Sequence, residues 1–393
     1  MLTLDAVDDL ILAEAATVEA GSAVPAAVAV AAVGSGRAPV LVLDAPALAA
    51  ELARQGRTVL HRADLLADEE PLGEAIPGGV VESWDDLRLG DVRLVLLRLP
   101  ANLNALDELA EAVAAHCHPE VRLVAGARVK HMTRGMNEVL AGHFAEVRAS
   151  LGVRKCRVLH AASPLPAARA TGAAPSWPRT AVLPASEVGA AEPNRPAPNG
   201  TAPTGTAPNA TAPHGADLTV VAYGATFAGN RLDLGTRLLL DRIASLCPRD
   251  GADRAVDLGC GSGILAAVLA RNGWHVTGVD TSRAAVAATA ATAAANGLTI
   301  DVRRADALTD WPAADLDLVV CNPPFHVGTA KDSSPAFRMI RTAARALRPG
   351  GELWCVYNAH LPYLPALRRD VGPTEIITRD RSYLVTRSIR AAR

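Results

Sequence analysis

The sequence predicts an α/β protein built of two doubly wound, mostly parallel sheets in tandem. Three observations carry this. Short apolar runs alternate with segments of helical spacing in both halves of the 393-residue chain. A stretch over 162–216, rich in Pro, Gly, Thr and Asn, separates the halves. Finally, DVRLVLLRLP (91–100) aligns without gaps on DLDLVVCNPP (315–324), which reads as a degenerate copy of the second half; two unrelated α/β halves with a chance match in a Leu/Val-rich stretch is the weaker reading.

The elements follow in order. In the first half, 40–43 reads as a strand, 45–55 as a helix, 58–60 and 91–100 as strands, 103–116 as a helix and 121–124 as a strand. In the second half, 255–258 is a short apolar run, and 262–272 places Ile264, Leu265, Val268 and Leu269 at helical spacing. Then come a strand at 276–279, an Ala-rich helix at 282–296, an apolar stretch at 300–302, a strand at 316–321, a helix at 335–347 and a strand at 352–357. Strands separated by helices imply parallel pairing. EIIT and RDRSYLVTRSIR close the chain as an antiparallel hairpin, making a seven-stranded sheet. The segment 162–216 carries the triplet TAP three times and few β-branched or aromatic residues. It reads as a linker, because such a composition buries too little surface to offset its ordering entropy.

Composition narrows the function classes. Half the residues are hydrophobic, with much of that fraction Ala, and the net charge is −2, so any polyanion must meet local patches. The six cysteines (117, 156, 247, 260, 321, 355) form no CxxC pair, which argues against a disulfide framework and a metal site. The N-terminus is acidic where an export signal would be basic. The run 23–33 is too short for a transmembrane helix and is interrupted by Pro25. A cytoplasmic protein without a membrane partner is expected.

AVDLGCGSGILAAVLA (255–270) sets Asp257, Gly259, Gly261 and Gly263 in the turn between a strand and its helix. Glycines let a ligand approach the backbone and the helix N-terminus behind it; a tight turn without a ligand is the plainer reading. Asp280 ends the next strand, where a carboxylate can accept both hydroxyls of a ribose. Asp306 can accept from an adenine amino group, or serve as a cap or turn residue. The fourth strand runs into Asn322-Pro323-Pro324-Phe325. There Asn322 Oδ1 and the Pro323 carbonyl can accept from one NH₂ and turn its lone pair toward a methyl donor, while Phe325 stacks on the base that carries it. Hydride transfer has no use for such a frame, so S-adenosyl-L-methionine is favoured over a nicotinamide cofactor.

DLGCGSG, VD, ADAL and CNPPF in this order resemble a class I S-adenosylmethionine-dependent methyltransferase acting on an exocyclic or amide nitrogen. FAGNRLDLGTRLLL (227–240), NPPFH (322–326), NAHLPYLPAL (358–367) and AGARVKHMTRGMNEVLAGHF…SLGVRKCRVLHA (125–161) resemble the RsmC/RlmG ribosomal RNA guanine-N2 methyltransferases, leaning to the large-subunit 23S branch. The resemblance implies two tandem Rossmann-like methyltransferase domains: a degenerate copy over 1–161 that docks RNA, and a catalytic copy over 217–393. It implies that Asn322, Pro323 and Phe325 hold the guanine, and that Asp257, Gly259, Gly261, Gly263, Asp280 and Asp306 serve the cofactor. Phe227, Asp233 and Gly235 would close over its methionine end, although GATFAG departs from the family's usual start there. His326 need not be a general base, since water can take the proton of the methylated amine. The expected partner is ribosomal RNA or a ribosomal subunit, met by a monomer. Arg128/Lys130/His131/Arg134, Arg154-Lys155-Cys156-Arg157 and the C-terminal arginines could meet its phosphates. Protein glutamine-N5 and DNA adenine-N6 methyltransferases use a similar NPP site and stand as alternatives.

Overall fold

The computed structural model describes residues 2–20, 38–170, 174–188, 216–249, 253–324 and 334–392. The chain divides into two compact units, Met1–Trp177 and Pro178–Arg393.

The first unit runs α1 (Ala6–Ala20), β1 (Val40–Leu43), α2 (Pro46–Arg54), β2 (Val59–Arg62), α3 (Leu66–Ala75), β3 (Leu94–Arg98), α4 (Leu103–His116), β4 (Arg122–Arg128), α5 (Arg134–Ala141), β5 (Phe144–Ala149) and β6 (Cys156–Pro164). Its strands form one sheet in the order β2-β1-β3-β4-β6-β5. Strands β1 to β4 pair in parallel, and β6 runs antiparallel to both neighbours. The interiors of the central strands are apolar because both faces are covered, with arginines only at strand ends (Arg98, Arg122, Arg128). Leu41, Leu43, Val95 and Leu97 face one core, while Val40, Val42, Leu94 and Leu96 face the other, packed with Val7 and Ile11 of α1.

The second unit runs β7 (Arg179–Leu183), β8 (Leu218–Ala222), α6 (Leu234–Ile243), β9 (Arg254–Leu258), α7 (Ile264–Arg271), β10 (His275–Asp280), α8 (Arg283–Ala295), β11 (Asp301–Arg304), β12 (Leu316–Cys321), α9 (Ser334–Ala346), β13 (Leu347–Asn358), α10 (Tyr363–Asp370), β14 (Thr374–Arg379) and β15 (Tyr383–Ile389). The main sheet has seven strands in the order β11-β10-β9-β12-β13-β15-β14, and β14–β15 is the expected antiparallel hairpin. Residues alternate between two cores here as well: Ala255, Leu318 and Val320 on one face, Val256, Leu258, Val319 and Cys321 on the other.

The two sheets share one topology. Leu94 pairs with Val40 as Leu318 pairs with Ala255, so the gap-free alignment of 91–100 on 315–324 is also the structural one. Continuing the register places Arg98 at the position of Asn322 and Asp44 at that of Gly259. The edge strand β11 has no full counterpart in the first unit. Its place is taken by residues 79–81 beside His61: a single parallel bridge joins His61 and Val80, flanked by His61 N–Gly79 O at 2.8 Å and Val81 N–His61 O at 2.9 Å.

The expected linker is too wide at its N-terminal end. Strand β6 continues to Pro164, the buried Trp177 donates its indole N–H to Asp107 Oδ2 at 3.1 Å, and β7 pairs antiparallel with β8. Leu183 and Val188 belong to the core of the second unit, which therefore takes in residues ahead of 217. The TAP-bearing stretch lies outside the described residues, as do 23–33.

Candidate active site

The site forms where parallel strands end, at the carboxyl edge of the second sheet. Gly259 and Cys260 turn off β9 with their N–H groups on Val279 O, at 2.8 and 3.2 Å. Gly261 (φ +54) has nothing within 4 Å of where a side chain would begin, so its backbone faces open space. Gly263 (φ +78) answers a different need. A Cβ there would lie 2.9 Å from Thr289 Cα of α8, so only glycine lets the two helices close. Asp280, at the end of β10, accepts from Gly261 N at 3.2 Å and Ser282 N at 2.9 Å. It thus stands directly under the open turn.

Asp257 was expected among the cofactor contacts, and its position corrects that. It is 1% exposed, behind the turn, and Oδ2 accepts from Ala266 N at 3.0 Å in the first turn of α7. Burial pushes its carboxyl up to about 7, the backbone bond opposes the shift and the nearby Asp280 charge adds to it. It holds the glycine turn against the helix from the protein side. Asp306 sits in a turn after β11, where its carboxylate meets Arg338 Nε at 3.2 Å and it caps no helix.

Asn322 follows β12, with Pro323 buried behind it. A Cβ on Gly259 would lie 3.8 Å from the Asn322 carbonyl oxygen, so the glycine turn and the asparagine are direct neighbours. Asn322 Nδ2 donates to Thr236 Oγ1 at 3.0 Å, with Asp233 Oδ1 at 3.5 Å. Thr236 Oγ1 in turn donates to Asp233 Oδ2, and Asp233 Oδ1 accepts from Thr236 N at 3.1 Å as the N-cap of α6. The threonine proton is spent on the carboxylate, so toward Asn322 the hydroxyl can only accept. That fixes the amide: NH₂ toward α6, Oδ1 away. Asn322 Oδ1 is buried and has no hydrogen-bond partner among the described residues.

Asp233, expected at the methionine end of the cofactor, has both oxygens engaged by Thr236 and Asn322 and positions the amide. Gly235 fits under the Tyr383 ring, where a Cβ would approach Cε1 to 3.2 Å. Phe227 is 64% exposed ahead of α6. Phe325 and His326 lie outside the described residues. Thr236, which holds the Asn322 amide, is absent from the residues expected from the sequence. Its signal was present in LDLGTR, where Asp233 and Thr236 have N-cap to N3 spacing.

Residues 217–387 match the family described as Methyltransferase small domain, and residues 77–164 match the RLMG N-terminal domain. Over 304 residues the chain is 33% identical to the Ribosomal RNA large subunit methyltransferase G of Streptomyces griseus, covering 76% of this chain and 71% of that protein. The chain belongs to the ribosomal RNA large subunit methyltransferase G family. Its match to the Ribosomal RNA small subunit methyltransferase C of Chromohalobacter salexigens is 38% identical over 178 residues, and covers 45% of this chain and 53% of that one. Among solved structures, the T. thermophilus 16S rRNA N2 methyltransferase (RsmC), in complex with AdoMet and guanosine, superposes with a TM-score of 0.71. That likeness spans 98% of this chain and 92% of the other at 21% identity, and is one of fold. In this chain the first unit keeps the strand order of the second but carries other residues at the corresponding positions. At the position of Asn322, Arg98 donates through Nη1 to Asp8 Oδ1 at 3.0 Å and through Nη2 to Asp5 Oδ2. Asp5 and Asp8 begin α1 as Asp233 and Thr236 begin α6. Asp44 (φ +51) stands at the position of Gly259. An ion-paired cluster thus occupies the place where the second unit keeps a buried amide oxygen without a hydrogen-bond partner among the described residues.

Proposed function

We propose that the protein transfers the methyl group of S-adenosylmethionine to the exocyclic N2 amine of a guanine in ribosomal RNA, the 23S RNA in particular. The observation that carries this reading is the unpartnered Asn322 Oδ1, buried beside the glycine turn. A buried acceptor without a donor is costly and calls for one in the bound state. A planar amine supplies it.

The residues present fit the cofactor. Gly261 leaves room over its backbone, and the Asp280 carboxylate beneath it can take ribose hydroxyls in exchange for the Gly261 N–H. Bound there, S-adenosylmethionine supplies an electrophilic methyl group. Asn322 Oδ1 and the Pro323 carbonyl accept the two N2 hydrogens, turning the nitrogen lone pair out of conjugation with the ring and toward the glycine turn. Thr236 and Asp233 keep the amide from flipping. The prolines fix the chain that carries it. Catalysis is then mainly positioning. The target guanine leaves its stack, at a few kcal/mol, to present N2. Phe325 is the base platform the sequence suggests.

The large-subunit reading is favoured by the relatives matched across both units, such as that of Streptomyces griseus. The test is transfer of labelled methyl to protein-free 23S and 16S RNA, followed by nucleoside analysis. N2-methylguanosine in 23S RNA is the expected product. Label on protein or DNA alone would overturn the proposal.

A further inference from the structure

The turn that carries Asp306 is held to one shape from several sides. Ala305 N donates to Asp280 O at 2.9 Å, so Asp306 leaves the sheet one residue beyond that contact. Ala307 follows at φ +55, a conformation that side chains with a Cβ resist, and it is buried. Thr309 Oγ1 donates back to Asp306 O at 2.6 Å. The remaining hold comes from α9, where Arg338, Thr342 and Arg345 share one face at i, i+4 and i+7. Thr342 Oγ1 accepts from Leu308 N at 3.3 Å, and Arg345 Nη2 donates to Leu308 O at 2.8 Å and Thr309 O at 2.7 Å. Arg338 Nε meets Asp306 Oδ1 at 3.2 Å. Next to it, Met339 sets its methyl carbon 3.3 Å from where a Cβ on Gly259 would lie. Two consecutive residues of α9 therefore face the glycine turn and the Asp306 turn.

Arg338 differs from its two neighbours on that face. Thr342 and Arg345 hold backbone atoms and fix the path of the turn, whereas Arg338 holds a side chain. Both members of its pair are nearly half exposed, so the pair adds little to stability. What it sets is the direction of the carboxylate. Oδ1 is turned to α9, and Oδ2 has no hydrogen bond or ion pair among the described residues. A strained turn, fixed by surrounding contacts and presenting one unused acceptor, points to a ligand.

We infer that Arg338 is a positioning residue for cofactor choice: by holding Asp306 Oδ1 it turns Oδ2 to accept from the exocyclic amine of the adenine. The site then takes an adenine-bearing donor and refuses one in which an oxygen replaces that amine. The inference rests on S-adenosylmethionine as the cofactor and adds a residue of α9 that decides how its base is read. A carboxylate oxygen only accepts. Facing a hypoxanthine carbonyl, it would meet a second acceptor with no proton between them, and both would stay unpaired. A site built to accept from an amine rejects the analogue lacking it far more strongly than a missing methylene would allow.

The experiment titrates the full chain, by calorimetry, with S-adenosylhomocysteine and with its deaminated counterpart S-inosylhomocysteine. The parent should prefer the adenine compound by about 100-fold. Arg338→Gln should cut that preference about tenfold, through the Kd of the adenine compound, and move the melting temperature by no more than about 2 °C. Arg338→Lys should recover part of the preference, since an ammonium keeps the charge but not the planar fork. Asp306→Asn should abolish it, because a carboxamide can turn an N–H toward the carbonyl. Adding Arg338→Gln to Asp306→Asn should change nothing further. An unchanged preference in Arg338→Gln, or equal loss of affinity for both compounds, would overturn the inference. If the preference responds to Arg338 while 23S RNA receives no methyl group, the proposed reaction fails and the role of Arg338 stands. If 23S RNA is methylated and the preference ignores Arg338, that role alone fails.

Discussion

The Asn322 amide nitrogen donates to Thr236 Oγ1 at 3.0 Å, and the threonine proton is already committed to Asp233. This directional chain decides which end of the amide faces the substrate. Thr236→Val would remove the acceptor and let the amide rotate. A fall in kcat of about 10-fold is expected, with cofactor affinity unchanged. Asn322→Ala should lower kcat by about 100-fold or more, since it deletes the acceptor itself. Single-turnover methyl transfer measures both, and a Thr236→Val enzyme with full kcat would contradict the assignment.

The glycines of the turn should separate folding from binding. Gly261 has open space around it, so Gly261→Ala should keep stability within about 1 kcal/mol while weakening S-adenosylmethionine binding. Gly263→Ala pushes a methyl to 2.9 Å from the Thr289 backbone and should destabilise the fold by about 2 kcal/mol or more. Urea unfolding and calorimetric titration distinguish the two outcomes.

One cofactor per chain is expected, because Asp44 and the Arg98 cluster occupy the first unit's cleft. Calorimetry giving two sites would refute this. The cluster also matters for stability. Asp8 is 1% exposed, so Arg98→Met would strand a buried carboxylate. Arg98 itself is about a third exposed, which limits the loss to about 2–3 kcal/mol. Asp8→Asn in the same chain should recover part of it, as read by urea unfolding.

Asp44 makes a pH prediction. Burial, with the charges of Asp64 and Asp68, pushes its carboxyl from 3.8 up to about 7, against a bond from Asp64 N. The folded state therefore holds the proton that the unfolded chain releases. Stability falls as pH rises between those two values and levels off above them. Asp44→Asn should remove this group's share of the decline and stabilise the protein at pH 8 by up to about 4 kcal/mol. At pH 4 the variant and the parent should match. Asparagine also suits the positive φ there.

Much of this was legible in the sequence for physical reasons. Strands buried on both faces read as apolar runs, and β12 was found by its run 318–321. Glycine turns and strand-end carboxylates stand next to their structural cause, so Gly259, Gly261, Gly263, Asp280 and Asn322 could be placed from spacing. What spacing does not carry is contact over distance. Thr236 and Asn322 are 86 residues apart and meet only through packing of α6 on the sheet. The role of Asp257 depended on which way a buried side chain points. Trp177 was hidden because its neighbours are Ala, Ser and Pro, and composition averages over single anchors. Arg128 and Cys156 likewise meet only through the pairing of β4 with β6.

The Arg98 cluster resists single changes toward the arrangement of the second unit. Asparagine at position 98 alone would leave Asp8 buried without its cation. Threonine at position 8 alone would leave the guanidinium with a single carboxylate. Each such step passes through a less stable protein, so the difference between the two units behaves as a ratchet.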